Sequence, residues 1–117
     1  MTDLSRNIAL EIAKVINEKK GQNIKILDIQ KLSSIADYFV IATGTSTRQV
    51  KALVDMIEDR MKEIEINMHH KEGYQNGRWI LMDFQSVVVH IFLEEERDFY
   101  NIEKVWKDAD QVVVDSD

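Results

Sequence analysis

Apolar and polar residues alternate along the chain with two different periods, and these periods predict an ordered series of helices and strands. Apolar residues at every third or fourth position predict amphipathic helices over residues 3–20 and 46–65. Shorter runs of β-branched and aromatic residues predict strands over residues 24–29, 37–42 and 66–72. Helices interspersed with strands in this way are typical of a mixed α/β fold.

The clearest strand signal is a hairpin from Trp79 to Leu93, with Gln85 and Ser86 at its turn. Its second strand is apolar at nearly every position, which predicts a central strand covered on both faces. Its first strand is interrupted by Asp83 and begins with an aromatic residue, Trp79. We therefore expect the first strand to have one buried face and one face available for binding.

After the hairpin, Glu94 begins a short helix whose first turn is acidic, as the helix dipole favours. An apolar stripe along this helix consists of Phe99, Ile102, Val105 and Trp106. Residues 108–117 have two alternatives: a loose acidic tail, or an added edge strand through residues 112–114. The sequence leaves both open.

The whole chain, residues 1–117, is predicted to be a single domain because its length suits one hydrophobic core. We expect a mixed β-sheet of about five strands that is flanked by helices. The continuous apolar runs at residues 38–42 and 87–93 predict the two strands at its centre.

Composition excludes several classes of site and of protein. The chain has no cysteine, which rules out disulfides, thiolate metal sites and a cysteine nucleophile. No apolar run approaches the roughly 18 residues that a membrane span needs. The first residues lack the basic and apolar parts of a signal peptide, so the sequence predicts a cytoplasmic protein.

The net charge of −6 is concentrated at one end of the chain. Residues 94–117 contain nine acidic and three basic residues, whereas residues 1–93 contain twelve of each. An acidic end repels a phosphate backbone and attracts a basic protein surface, so we expect little direct contact with nucleic acid. The simpler alternative is that these acids only solvate an exposed surface.

The turn from Gly44 to Ser46 lies between a strand and a helix, where free backbone N–H groups could bind a phosphate. Ser46 and Gln49 have the spacing of a capping box, which favours a structural turn. Nucleotidyl transfer needs two or three acids around magnesium, but Asp83 is the single acid of that kind on a neighbouring strand. The alternative function is that of a small nucleotidyltransferase or nucleotide-binding protein, which would use Gly44, Thr45 and Ser46.

None of the three histidines predicts a metal site. His69 and His70 are adjacent and would point to opposite faces of a strand, so they would not share one ion. His90 lies in an apolar run, where a buried imidazole needs a hydrogen-bond partner. We predict that His90 holds the sheet to a neighbouring element, and that the protein has no metal, cofactor or catalytic residue.

Aromatic and acidic residues are frequent in the hairpin and after it, which is typical of a protein-binding surface. For Phe99 and Trp106 we expect a structural role, in which they attach the last helix to the sheet. For Trp79 and Tyr100, binding a partner and packing against the core agree equally well with the sequence.

Six stretches that follow one another along nearly the whole chain carry a family resemblance. They are Asp37–Ser46, Arg48–Val50, Glu72–Gly73, Trp79–Asp83, Val87–Phe92 and Arg97–Trp106. Together they resemble the ribosomal silencing factor family, also called RsfS or Iojap. The sequence departs from the family at Gln85 and Ser86, where Gly-Asp is usual, and at Phe84, which is often tyrosine.

This resemblance implies a fold like that of a nucleotidyltransferase without the catalytic acids, a homodimer, and no enzymatic activity. It also implies binding to the large ribosomal subunit through ribosomal protein uL-fourteen, which blocks subunit association and represses translation. The contact residues that it implies on this sequence are Trp79, Leu81, Asp83, Tyr100 and Glu103.

Overall fold

The computed structural model of the protein describes residues 4–114, which form four helices and six strands. The helices are α1 (Leu4–Glu18), α2 (Thr47–Glu63), α3 (Glu94–Tyr100) and α4 (Ile102–Val105). The strands are β1 (Gln22–Asp28), β2 (Tyr38–Gly44), β3 (His70–Glu72), β4 (Trp79–Asp83), β5 (Val87–Leu93) and β6 (Asp110–Val112). No helix within this range is long and apolar enough to cross a membrane.

The strands form one mixed sheet in the order β3-β4-β5-β2-β1-β6. The two central strands, β2 and β5, run parallel, and the other neighbouring pairs are antiparallel. These are the strands that the sequence predicted at the centre, because continuous apolar residues need cover on both faces. The predicted fold class, a mixed sheet flanked by helices, is confirmed.

The sixth strand comes from the C-terminal segment, for which the sequence left two alternatives. Asp110–Val112 pairs antiparallel with β1 and places Val112 opposite Ile26. This pairing buries Val112, whereas Val113 is 83% exposed. The edge strand therefore forms two residues earlier than predicted, and residues 115–117 of the expected tail lie outside the described residues.

Helices α1 and α2 pack on the same face of the sheet. Each buries the apolar stripe that its periodic sequence predicts. Glu11 of α1 and Arg60 of α2 form an ion pair with 2.6 Å between Oε2 and Nη1, which joins the two helices. The sheet contributes ten buried residues to the core beneath them: Ile26, Tyr38, Val40, Ala42, Ile80, Met82, Val87, Val89, Ile91 and Val112.

The opposite face of the sheet is covered only in part. A smaller core lies there and consists of Leu27, Ile29, Ala36, Phe39, Ile41 and Phe92. Ile102 of α4 and Trp106 pack against this core, and the Trp106 ring meets Phe39 edge-on with 5.2 Å between centroids. The residues of β3 and β4 that point to this face are exposed or half-buried, so part of the sheet remains open.

Two predicted elements are interrupted or shorter than expected. The last helix is broken at Asn101, whose left-handed φ of 43° separates α3 from α4. Phe99, which lies in α3 before this break, is 81% exposed, so its predicted role in attaching the helix to the sheet is wrong. The same role is confirmed for Trp106. The strand predicted over residues 66–72 is limited to His70–Glu72.

The hairpin turn between β4 and β5 uses a strained backbone conformation. Gln85 has a φ of 75°, and the Ser86 N–H donates across it to the Phe84 carbonyl at 3.1 Å, as in a γ-turn. Asp83 supports the turn, because its Oδ1 accepts the Gln85 N–H at 2.7 Å. Glycine adopts such a φ without steric cost, whereas Gln85 must accept the strain of a left-handed φ.

Candidate functional site

The alternation of side chains along β4 separates its core residues from its candidate binding residues. Ile80 and Met82 are fully buried beneath the helices. Trp79, Leu81 and Asp83 point to the open face and are half-buried. The structure thus brings three of the five predicted contact residues together in one row.

A groove of about 450 Å³ lies on this open face. Its apolar lining includes Leu81 of β4, Val88 of β5 and Ile102 of α4. Two acids, Glu72 of β3 and Asp83 of β4, also line it, and no described lysine or arginine does. The groove therefore combines an apolar surface with negative charge, which suits an apolar group flanked by basic residues.

Tyr100 reaches the same face from α3, on a different part of the chain. Its ring lies 4.8 Å from that of Trp79, centroid to centroid, and Trp79 stacks on Phe92 at the same distance. Phe92 is fully buried, whereas Tyr100 is 49% exposed. Trp79 therefore connects the core of the sheet to an exposed aromatic ring at the edge of the open face.

His90 is buried beside Trp79 and is 5% exposed. The Trp79 Nε1–H donates to His90 Nδ1 at 3.2 Å, so the predicted hydrogen-bond partner of His90 lies on the adjacent strand of its own hairpin. Burial lowers the pKa of His90 from 6.5 to about 4, because the charged imidazolium would lose its hydration. The imidazole is therefore neutral at pH 7, and its contacts lie within the sheet.

Glu103, the fifth predicted contact residue, is already engaged within the chain. Its Oε1 accepts from Arg97 Nε at 2.8 Å, and its Oε2 lies 2.9 Å from Lys25 Nζ. The hydrogen bond from Arg97 is the main reason that the pKa of Glu103 is lowered. Arg97 is 8% exposed and also donates to the Asn23 carbonyl at 2.6 Å and to Thr43 Oγ1 at 2.8 Å.

Sequence reasoning missed this role of Arg97, which ties α3 to β1 and β2. The available signal was one arginine within a run of acids, between Glu96 and Asp98. A buried guanidinium needs several acceptors, and the acceptors here come from segments distant in sequence. Glu103 thus helps to hold α3 and α4 in place near the groove.

The turn from Gly44 to Ser46 has the structural character that the capping pattern predicted. Ser46 Oγ accepts the Gln49 N–H at 3.1 Å, and Gln49 Oε1 accepts the Thr45 N–H at 2.6 Å. A side chain at Gly44 would place its Cβ 2.8 Å from Val50 Cγ2, so the tight packing of the turn requires glycine. Two backbone N–H groups of the turn, those of Thr45 and Gln49, are therefore already bonded to side chains within it.

The same geometry gives no support to nucleotidyl transfer. Gly44 pairs with Leu93 and Asp83 with Val88, so the turn and the acid are about 16 Å apart along β5, at about 3.3 Å per residue. A cavity of about 280 Å³ at the turn is lined by Glu94, Glu95 and Arg78, and Arg78 is paired with Glu96 at 3.3 Å. Within residues 4–114, no group of three or more histidines and acids could hold a metal ion.

Comparisons with known proteins agree over most of the chain. A profile of RsfS, described as ribosomal silencing factor during starvation, matches residues 2–117. The chain is similar to the ribosomal silencing factor RsfS of Bacillus subtilis, with 41% identity over 83% of this chain and 82% of that protein. Its similarity to RsfS of Halalkalibacterium halodurans is 37% identity over 93% of this chain and 94% of that protein. A crystal structure of a protein from Chromobacterium violaceum has a similar fold, with a TM-score of 0.80 and 38% identity, over 88% of this chain and 83% of that chain.

Proposed function

The chain belongs to the RsfS family of ribosomal silencing factors, and on this premise we propose that it binds the large ribosomal subunit and prevents the small subunit from joining it. We propose ribosomal protein uL-fourteen as the contact. The mechanism is steric occlusion, which needs no enzymatic reaction and no cofactor. The cytoplasmic location predicted from the sequence stays a prediction that is tied to this partner.

The observation that carries the proposal is the open face of β4. Trp79, Leu81 and Asp83 point to it in one row, and Tyr100 packs against Trp79 at its edge. Tryptophan and tyrosine are enriched among the few residues that supply most of the binding energy in protein interfaces. The other face of the sheet is unsuited to this role because α1 and α2 cover it.

The charge of this region favours a protein partner over RNA. Glu72 and Asp83 line the groove, and Glu94, Glu95 and Glu96 begin the helix that follows β5. These carboxylates would repel phosphates, whereas they would accelerate association with a basic protein surface. We therefore propose that this face binds a ribosomal protein and makes few contacts with ribosomal RNA.

The replacement of Trp79 by alanine should release the large subunit while the domain stays folded. Truncation of an aromatic anchor at an interface typically costs about 2 kcal/mol, which corresponds to a roughly thirtyfold weaker affinity. Subunit joining on sucrose gradients measures this effect. Half-maximal inhibition of joining should require about thirty times more of the Trp79→Ala protein than of the wild type.

A matched pair of charge variants provides the control. Asp83→Lys reverses a charge in the groove, whereas Asp59→Lys makes the same change on an exposed part of α2. Only the first should weaken inhibition, and melting curves would verify that both are folded. The proposal is wrong if the wild type leaves joining untouched, or if folded Trp79→Ala and Asp83→Lys proteins inhibit as strongly as the wild type.

We also propose that the free protein is a homodimer, as the family resemblance implies. Several exposed large apolar side chains support self-association, because Ile35, Phe99 and Val105 are 67%, 81% and 74% exposed. Light scattering at micromolar concentrations should give twice the 13.7 kDa mass of one chain. A mass of 13.7 kDa across the whole concentration range would exclude the dimer.

A further inference from the structure

The hydrogen bond between Trp79 and His90 determines which atoms of both rings remain for other contacts. An indole N–H only donates, so His90 Nδ1 must be the acceptor in the 3.2 Å contact with Trp79 Nε1. A neutral imidazole then carries its proton on Nε2. Trp79 has consequently used its one polar atom within the chain, and it can offer a partner only the surface of its ring.

The other nitrogen of His90, Nε2, indicates that a contribution to stability is not the reason for a histidine at this position. Nε2 is buried and has no hydrogen-bond partner among residues 4–114. A buried donor without an acceptor lowers the stability of a protein, and an apolar side chain of similar size would avoid that cost. What His90 supplies, and an apolar residue would not, is the acceptor for Trp79.

We propose that His90 is a positioning residue that holds the indole of Trp79 in the orientation needed to bind the partner. Three neighbours restrain this indole: His90 by a hydrogen bond, Phe92 by stacking and Tyr100 by a tilted ring contact. Of the three, the hydrogen bond is the directional contact, because it turns the Nε1 edge of the indole toward His90. This inference rests on the proposed function, because it assumes that Trp79 contacts the large ribosomal subunit.

Two substitutions of His90 separate positioning from packing. His90→Asn places an amide oxygen close to the position of the imidazole Nδ1 and so keeps an acceptor for Trp79. His90→Leu keeps apolar bulk but has no acceptor. We expect His90→Leu to bind purified large subunits about fivefold more weakly without a loss of unfolding free energy, and His90→Asn to restore affinity to within about twofold of wild type.

The NMR signal of the Trp79 indole N–H gives a readout that does not depend on the ribosome. A Trp106→Phe variant assigns the signal, because Trp79 is then the one tryptophan of the chain. The signal should shift and exchange faster with water in His90→Leu, and it should stay near its wild-type position in His90→Asn. His69→Leu, which removes an exposed histidine, should change neither the signal nor the affinity.

The outcomes distinguish this inference from the proposed function. If a folded His90→Leu protein binds as tightly as the wild type, or if affinity and stability fall together in both variants, His90 does not position Trp79. An unchanged indole signal in His90→Leu would also overturn the inference. If the wild type itself fails to bind large subunits, the proposed function fails, whereas the indole signal still tests whether His90 orients Trp79.

Discussion

Replacing Val89 with aspartate should prevent the domain from folding. Val89 is completely buried in β5 beneath the helices, and its neighbours in register are Val40 and Met82. An unpaired carboxylate at this position costs several kcal/mol, against a total stability of about 5–15 kcal/mol for a domain. Circular dichroism and thermal melting of the purified protein would measure the loss.

The same substitution at an exposed valine is the matched control for this prediction. Val113 is 83% exposed just after β6, so Val113→Asp should change the melting temperature very little. A soluble Val89→Asp protein with the melting temperature of the wild type would show that Val89 does not lie in the core.

Acidification from pH 7 to pH 4 should lower the free energy of unfolding by about 3 kcal/mol through His90 alone. The pKa of His90 is about 4 in the folded protein because of burial, against 6.5 in an exposed imidazole. Between these two values the unfolded chain binds a proton that the folded protein does not bind. The contribution of neutral His90 to the free energy of unfolding is therefore present in full above about pH 6.5, and it is lost as the pH falls toward 4.

Urea unfolding at several pH values would test this dependence, with His90→Leu as the comparison. The variant should lack the decrease between pH 6.5 and pH 4.5. Two carboxyl groups also have a lowered pKa, Glu58 through its hydrogen bond with Lys71 and Glu103 through that with Arg97. The stabilisation that these two carboxylates provide is lost only as the pH falls below the ordinary carboxyl pKa of 4.5. It is lost equally in the wild type and in His90→Leu. Equal slopes for wild type and His90→Leu above pH 4.5 would contradict the prediction.

The parts of the fold that depend on residues close in sequence could be predicted with good accuracy. The helix expected over residues 46–65 is Thr47–Glu63, and the hairpin strands match to within one residue. These elements follow from the spacing of apolar residues and from local signals such as the Ser46 cap. Where the spacing is mixed, as in residues 66–72, the prediction extended a strand that only three residues form.

The candidate site could be predicted to the same extent. Alternation alone places Trp79, Leu81 and Asp83 on one face, because a strand has a period of two residues. Alternation does not show that Tyr100 packs on Trp79, or that Arg97 donates a hydrogen bond to Glu103, since these contacts join different elements. They depend on the left-handed turn at Asn101, where the predicted single helix breaks.

The sequence by itself therefore determined the central strands, the two long helices and the shared face of Trp79, Leu81 and Asp83 on β4. Each of these is encoded by neighbours along the chain, through periodicity and capping. Only the tertiary structure decided that α1 and α2 share one face of the sheet, which leaves the other face open. It also decided that residues 110–112 complete the sheet beside β1. Both outcomes depend on which apolar surfaces meet when distant segments pack, and burial of apolar area is favourable whatever the order of the residues that supply it.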